Sequence, residues 1–141
     1  MDIRPLTPDY AVSPQIDSAD APAIAAAGYT TVICNRPDGE IPPDLHAQIV
    51  RAAVEAAGLR FVDNPVVPGG MDAGVLTMQA DALTASEGPV LAYCASGNRS
   101  AIVWSMLAAS ELGADGVLQA TRAAGYDHSP FRPQFEAMAK R

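Results

Sequence analysis

Apolar positions along this chain recur in two ways, and the contrast predicts its elements. Short, continuous, β-branched blocks predict strands buried on both faces: Thr30–Asn35 (TTVICN), Leu59–Val62 with an extension toward Val67, and Val90–Tyr93. Ile3–Leu6 and Tyr10–Ser13 are extended pieces on either side of Thr7-Pro8-Asp9, whose turn chemistry predicts a small hairpin. Between the strands the spacing changes to a helical one. Ser18 reads as an N-cap, Pro22 is early enough in that helix to be tolerated, and Gly28 stops it. Pro43–Ala57 carries a stripe of Leu45, Ile49, Ala52, Ala53 and Ala56, ended by Gly58. Pro68-Gly69-Gly70 breaks the chain. Asp72 then opens a helix through Val75, Leu76, Met78, Gln79 and Leu83, which stops at Gly88-Pro89.

From Arg99, the residues Ile102, Val103, Met106, Leu107 and Ser110 predict an almost wholly buried helix closed by Gly113. Two more helices follow, near Asp115–Ala124 and Pro133–Lys140. Strands alternating with helices predict an α/β fold with a mainly parallel sheet covered on both faces. No linker divides the chain, so residues 1–141 read as a single domain.

Composition narrows the partners. Apolar residues make up 49% of the chain, too many for disorder and in no run expected to cross a bilayer. The formal charge of −7 argues against nucleic acid and anionic membranes, but not against one small anion in a locally positive pocket. The N-terminal MDIRPLTPDY has neither a basic stretch nor an apolar signal core, so the expected location is cytoplasmic. Cys34 and Cys94 would be free thiols there. With no CxxC, and with His46 and His128 standing alone, no metal is implied, nor any organic cofactor.

The segment YCASGNRSA, Tyr93–Ala101, carries the chemistry. Cys94 ends a buried strand and Arg99 opens a buried helix. In open α/β sheets ligands bind beyond the carboxyl ends of strands. A tight strand-to-helix turn also gathers backbone N–H groups at the positive end of the helix dipole. Ala95, Ser96, Gly97, Asn98 and Arg99 would form an anion-binding loop, with Gly97 permitting the turn and Arg99 adding a permanent charge. Ser100 is expected to donate to the cysteine sulfur. Cysteines in such electropositive turns ionise more readily than a free thiol, which makes Cys94 the expected nucleophile.

Cys94-Ala95-Ser96-Gly97-Asn98-Arg99-Ser100 resembles the active-site loop of rhodanese-type sulfurtransferases. It also resembles the loop of cysteine phosphatases with one residue fewer between Cys and Arg. Together with Ile3-Arg4-Pro5-Leu6, Ser13-Pro14-Gln15-Ile16, Cys34-Asn35-Arg36-Pro37-Asp38-Gly39-Glu40 and Pro65-Val66-Val67-Pro68-Gly69, it makes nearly the whole chain resemble the bacterial DUF442 family. That family also occurs fused to metallo-β-lactamase-like persulfide dioxygenases, in β-lactamase hydrolase-like proteins. The resemblance implies a fold like that of dual-specificity phosphatases, with four or five strands ringed by helices, and a persulfide dioxygenase as a partner. The family commonly has arginine after the cysteine; Ala95 here removes one positive charge.

Two reactions fit. A four-residue spacing between Cys94 and Arg99 suits a single terminal sulfur, which favours sulfur transfer from thiosulfate or a low-molecular-weight persulfide through a Cys94 persulfide. The alternative is hydrolysis of a phosphate ester, which needs a positioned acid for a poor leaving group. Asp72 is the candidate, although its position also suits a helix cap, and Asp63 lies before the break. Arg36, after the TTVICN strand, would orient an anionic substrate or else pair with Asp38 or Glu40, and Asn35 would pin the loop. Cys34 would either resolve an oxidised Cys94 as a disulfide, making the chain a redox module, or serve as a small core residue. Trp104 reads as packing, His46 as the wet side of a helix, and His128 as a solvated loop residue or an acid–base group.

Overall fold

The computed structural model describes residues 1–140. Five four-residue strands, β1 (Arg4–Thr7), β2 (Tyr10–Ser13), β3 (Thr31–Cys34), β4 (Arg60–Asp63) and β5 (Val90–Tyr93), form one sheet in the order β1-β2-β5-β3-β4. The hairpin β1–β2 is antiparallel, and Thr7 Oγ1 accepts from the Asp9 N–H at 3.0 Å inside its turn. All other pairings are parallel. Their register sets Ser13 and Cys34 opposite Tyr93, and Asp63 opposite Cys34, so four strands end level at one edge of the sheet.

Alternation along the strands feeds two cores. Tyr10, Val12, Ile33 and Ala92 face one side, where they meet Trp104, Val117 and Phe135. Ala11, Val32, Cys34, Leu91 and Tyr93 face the other, where they meet Ile16, Ile24, Val50 and Phe61. Burial on both faces is why these strands read as unbroken apolar runs.

The helices are α1 (Ala21–Ala26), α2 (Ala47–Ala56), α3 (Ala73–Ala85), α4 (Asn98–Ala123) and α5 (Arg132–Ala139). Several differ from the sequence expectation. The first cap is Asp17, not Ser18: its carboxylate accepts from the Ala19 N–H at 2.8 Å, while Asp20 accepts from the Asp17 N–H at 3.0 Å. Together they form a capping box on a 3-10 turn that precedes α1. Another 3-10 turn, Pro43–Leu45, replaces the start of the expected second helix. The buried stripe of α2 is Ala47, Val50 and Val54, and Ile49 is exposed. Alanine tolerates either face, so the two valines decide the orientation. Within α4, Gly113 adopts φ 74° and breaks the helix where the sequence places a stop. By length and composition alone α4 could cross a membrane, contrary to the expectation from apolar runs. Here it packs on the sheet through Ala101, Val103, Trp104 and Ala109. Trp104 stacks on Tyr10 with ring centroids 6.1 Å apart, the packing role expected of it.

Beneath the level strand tips lies a buried polar network. Asn35 Nδ2 donates to the Asn64 carbonyl at 2.9 Å and to Gln79 Oε1 at 3.0 Å. Asn64 Nδ2 donates to Gln79 Oε1 at 2.8 Å, and Gln79 Nε2 donates to Tyr10 Oη at 3.2 Å. Tyr10 Oη in turn donates to the Ser100 carbonyl at 2.9 Å. Each of these groups would be costly to bury unpaired, and the set ties β2, β3 and α3 to the first turn of α4.

Candidate active site

Cys94 follows β5 directly, and its N–H reaches the Ser13 carbonyl at 3.4 Å. The side chain is only 1% exposed. Three residues on, Gly97 turns back and donates its N–H to Cys94 Sγ at 3.2 Å. Its φ of 91° lies in the left-handed region, and a Cβ there would overlap Tyr126 Oη, so glycine is required on two grounds. Ser96 Oγ accepts from the Asn98 N–H at 3.3 Å, where α4 begins. Among the described residues, the N–H groups of Ala95, Ser96, Arg99 and Ser100 meet no protein acceptor. They are free donors at the positive end of a long helix, which is the equipment of an anion site.

Arg99 is held from two sides. Its Nη1 donates to Glu40 Oε2 at 2.8 Å and to the Val66 carbonyl at 2.7 Å, and its Nη2 donates to Glu40 Oε1 at 2.7 Å. The bidentate pairing pushes the guanidinium pKa further up and draws that of Glu40 below the usual carboxylate range, with the hydrogen bond the main cause of each. Glu40 therefore stays ionised, and the pair stays intact, as pH falls through the ordinary carboxylate range; it is lost only below that, as pH passes the lowered value.

A C-terminal segment braces the loop. Tyr126 Oη donates to the Ser96 carbonyl at 2.8 Å, and the guanidinium of Arg4 lies over the Tyr126 ring at 5.3 Å. His128 Nε2 lies 2.6 Å from Asn98 Oδ1, an acceptor, so that nitrogen carries the proton. His128 Nδ1 is buried without a partner, and desolvation pushes the imidazole pKa down. The unfolded chain thus binds the proton more readily than the fold. The stability tied to this group is present above about pH 6.5 and is lost as pH falls below it. Lowering pH from about 7.5 to about 5 is expected to reduce the urea midpoint more in the wild type than in His128→Gln, whose amide can still donate to Asn98. Equal pH slopes in the two proteins would remove this role from His128.

Several expected site residues sit elsewhere. Ser100 does not reach the sulfur: it points inward from the first turn of α4, and its Oγ donates to Asn35 Oδ1 at 2.9 Å. Asn35 pins the loop as expected. Asp72 caps α3, accepting from the Val75 N–H at 2.9 Å, and is not in the wall of the cavity beside the loop. Asp63 is exposed at the end of β4. Arg36 does not line that cavity either. It reaches Glu40 Oε1 at 3.4 Å and Gln15 Oε1 at 3.3 Å, so it acts on the site only through the carboxylate that holds Arg99. Cys34 packs in the second core and donates to the Arg36 carbonyl at 3.3 Å, and burial pushes its thiol pKa up to about 11. Both cysteines are free thiols. His46 is half-buried at the start of α2, not on its wet face, and His128 is 3% exposed, not solvated. Glu40, Tyr126 and the Asn64–Gln79 pair went unread as site residues. Only Glu40 had a signal, as the last residue of the CNRPDGE stretch.

Ala95, Ser96, Asn98 and Arg99 form one wall of a cavity of about 920 Å³. Its other walls come from Glu40, from Val66–Gly69 and Met71, from Ile102 and Met106 of α4, and from the C-terminal residues Phe131, Gln134 and Phe135.

Residues 2–111 match the family model described as the phosphatase-like domain of β-lactamase hydrolase-like protein. The β-lactamase hydrolase-like protein of Xylella fastidiosa is 29% identical over 106 residues, which are 75% of this chain and 25% of that protein. The chain thus spans about a quarter of the length of that relative. The crystal structure of a phosphatase candidate from Neisseria meningitidis is 31% identical, with a TM-score of 0.85 over 98% of this chain and 99% of that one. P. aeruginosa TpbA, crystallised with pTyr, shares the fold at a TM-score of 0.62 and 19% identity, over 99% of this chain and 91% of that one. The five-stranded sheet flanked by helices is therefore the fold of the tyrosine and dual-specificity phosphatases, as expected.

Proposed function

Since the chain belongs to the family of phosphatase-like domains found in β-lactamase hydrolase-like proteins, we propose that it hydrolyses phosphate monoesters through a Cys94 phosphoenzyme. Sequence alone favours sulfur transfer; the family and its fold neighbours favour the phosphatase reading instead. The observation that carries it is the loop itself: Cys94 Sγ beneath a turn with four free N–H groups and a cationic fork at its rim.

In the proposed reaction the amides of Ala95, Ser96, Arg99 and Ser100 and the Arg99 guanidinium take the phosphoryl oxygens. They stabilise the charge that builds up as the P–O bond breaks. The Cys94 thiolate attacks phosphorus, and the ester oxygen leaves with the bonding electron pair. Water then attacks phosphorus, the S–P bond breaks with its electron pair on sulfur, and inorganic phosphate leaves while the proton lost by the water passes to solvent, restoring the thiolate. Cys94 is 1% exposed at rest, so the proposed attack requires the sulfur to become accessible to the phosphoryl group.

One observation favours a second reading. Four residues separate Cys94 from Arg99, and Asp72, the acid expected from the sequence, caps α3 and does not line the cavity beside the loop. Thiosulfate needs no acid: the thiolate takes its outer sulfur, sulfite leaves with the electron pair, and a Cys94 persulfide remains. Acid-quenched protein is therefore examined by intact mass after exposure to an aryl phosphate and, separately, to thiosulfate. The proposal expects a phosphoryl adduct on Cys94 and release of inorganic phosphate. A persulfide adduct with no phosphoryl adduct and no phosphate release would replace phosphate hydrolysis with sulfur transfer.

A further inference from the structure

Cys94 Sγ accepts from the Gly97 N–H at 3.2 Å. That N–H shares a peptide unit with the Ser96 carbonyl, and in a trans peptide the two groups point opposite ways. The carbonyl is held at its own end, where Tyr126 Oη donates to it at 2.8 Å. One rigid plane thus runs from the phenol to the sulfur, and fixing one end aims the other. The plane needs an anchor because residue 97 is glycine. Glycine adopts either sign of φ at little cost, so the local backbone does not stop the Ser96–Gly97 unit from turning over. A half-turn would replace the N–H at the sulfur with a carbonyl oxygen, which repels a thiolate. The Tyr126 hydroxyl opposes that turn.

Three features place the hydroxyl. A straight helix over the 26 residues of α4 would hold its ends roughly 39 Å apart; the break at Gly113 brings the far end back to the loop where the helix began. At that far end Gly125 has φ 98°, its N–H donates to the Arg122 carbonyl at 3.0 Å, and the Tyr126 N–H donates to the Thr121 carbonyl at 2.9 Å. This is a Schellman ending, which fixes the direction in which the chain leaves the helix. Arg4, from the Ile3-Arg4-Pro5-Leu6 stretch, closes the arrangement. Its Nη1 donates to the Ala124 carbonyl at 3.1 Å, its guanidinium lies over the Tyr126 ring, and His128 stacks on that ring at 5.8 Å.

We propose that Tyr126, steadied by Arg4, is a positioning residue: through the Ser96–Gly97 peptide it keeps a hydrogen-bond donor aimed at the Cys94 thiolate. The role rests on Cys94 being the nucleophile, not on whether that nucleophile attacks phosphorus or sulfur. Tyr126 is not in the wall of the cavity, so it acts through the peptide and not on substrate. Burial pushes its phenol pKa up, which keeps the hydroxyl a donor.

The rate of Cys94 alkylation by iodoacetamide, followed against pH by mass mapping, separates two quantities. The high-pH plateau reports access to the sulfur, and the midpoint of the rise reports how well its anion is supported. Tyr126→Phe keeps the ring beneath Arg4 and removes the hydroxyl alone. Its midpoint is expected at higher pH, with alkylation below the midpoint slower by roughly three- to tenfold, part of what a charge-assisted hydrogen bond supplies. Arg4→Gln is expected to move the midpoint the same way by less. Ser129→Ala, exposed on the same segment, is expected to leave the profile unchanged. Arg99 and Tyr10 also sense charge on the sulfur, with Glu40 behind Arg99 and His128 beside Tyr126. All four are the same in Tyr126→Phe and wild type, so the difference between those profiles belongs to the hydroxyl.

An unmoved midpoint in Tyr126→Phe would overturn the proposal. So would a higher plateau at the same midpoint, which would make Tyr126 a cover for the sulfur, or an equal shift in Ser129→Ala, which would make the effect a general loosening. A shift in Tyr126→Phe with none in Arg4→Gln would overturn the part given to Arg4. If the midpoint moves as expected while the wild type releases no phosphate from an aryl phosphate, the positioning role stands and the phosphatase reading falls.

Discussion

Cys94→Ser is expected to lower kcat/KM for an aryl phosphate by ~10⁴-fold or more while leaving the fold and phosphonate binding nearly unchanged. A serine hydroxyl is a poor nucleophile unless a base takes its proton, and the neighbours of Cys94 are donors. The Gly97 N–H points at the sulfur, and free amides and a guanidinium surround the turn. Those donors cannot take the proton from an alcohol. The substitution removes little volume at a site that is 1% exposed, and the Gly97 N–H can still donate to an oxygen there. The loss should therefore appear in kcat, with methylphosphonate affinity kept within a few-fold of wild type. Cys34→Ser is the matched control. Cys34 belongs to the opposite core, and its thiol, pushed up to about 11, stays protonated at neutral pH, so activity should persist. If Cys94→Ser keeps more than about a hundredth of wild-type kcat/KM, covalent catalysis at this residue is wrong.

How far the site could be read from sequence depended on the range of the interactions that make it. The hairpin, β5 and the Cys94 turn rest on neighbours in the chain, and local pattern located each of them to within a residue. The stop at Gly113 is equally local, a left-handed glycine at a break in helical spacing. The stripe of α2 was misplaced because its alanines carry little directional information, and Val50 and Val54 outweigh them only once the sheet is present. Ser100 was misassigned for a different reason. Proximity to Cys94 in sequence suggested a bond to sulfur, but the third residue of α4 faces the sheet, where Asn35 offers an oxygen. Glu40 meets Arg99 across 59 residues, and Tyr126 and His128 meet the loop across 30. No periodicity records such meetings; the first follows from the parallel register that sets the ends of β3 and β5 side by side, and the other two from the C-terminal segment lying back over the loop.

That register makes Arg99 the second site of large expected effect. Arg99→Ala should lower kcat/KM by ~10²–10³-fold, the usual consequence of removing one strong donor from developing charge. Arg99→Lys should recover only part of this. One ammonium cannot bridge both Glu40 oxygens and the Val66 carbonyl as the fork does, so its charge is poorly placed. Glu40 makes the prediction more specific. In the wild type its carboxylate is neutralised by Arg99 at 2.7 Å and, more weakly, by Arg36 at 3.4 Å. Removing Arg99 leaves that negative charge at the rim of a cavity meant for an anion, held only by the weaker contact. Part of the loss in Arg99→Ala is therefore repulsion, and adding Glu40→Gln to that variant should return roughly three- to tenfold of the activity. In a wild-type background Glu40→Gln should be harmful instead, because it loosens the fork. This reversal of sign is what a double-mutant cycle on kcat/KM measures. If Glu40→Gln is harmful in both backgrounds by the same factor, Glu40 and Arg99 act independently, and the bidentate pair has no part in shaping the anion site.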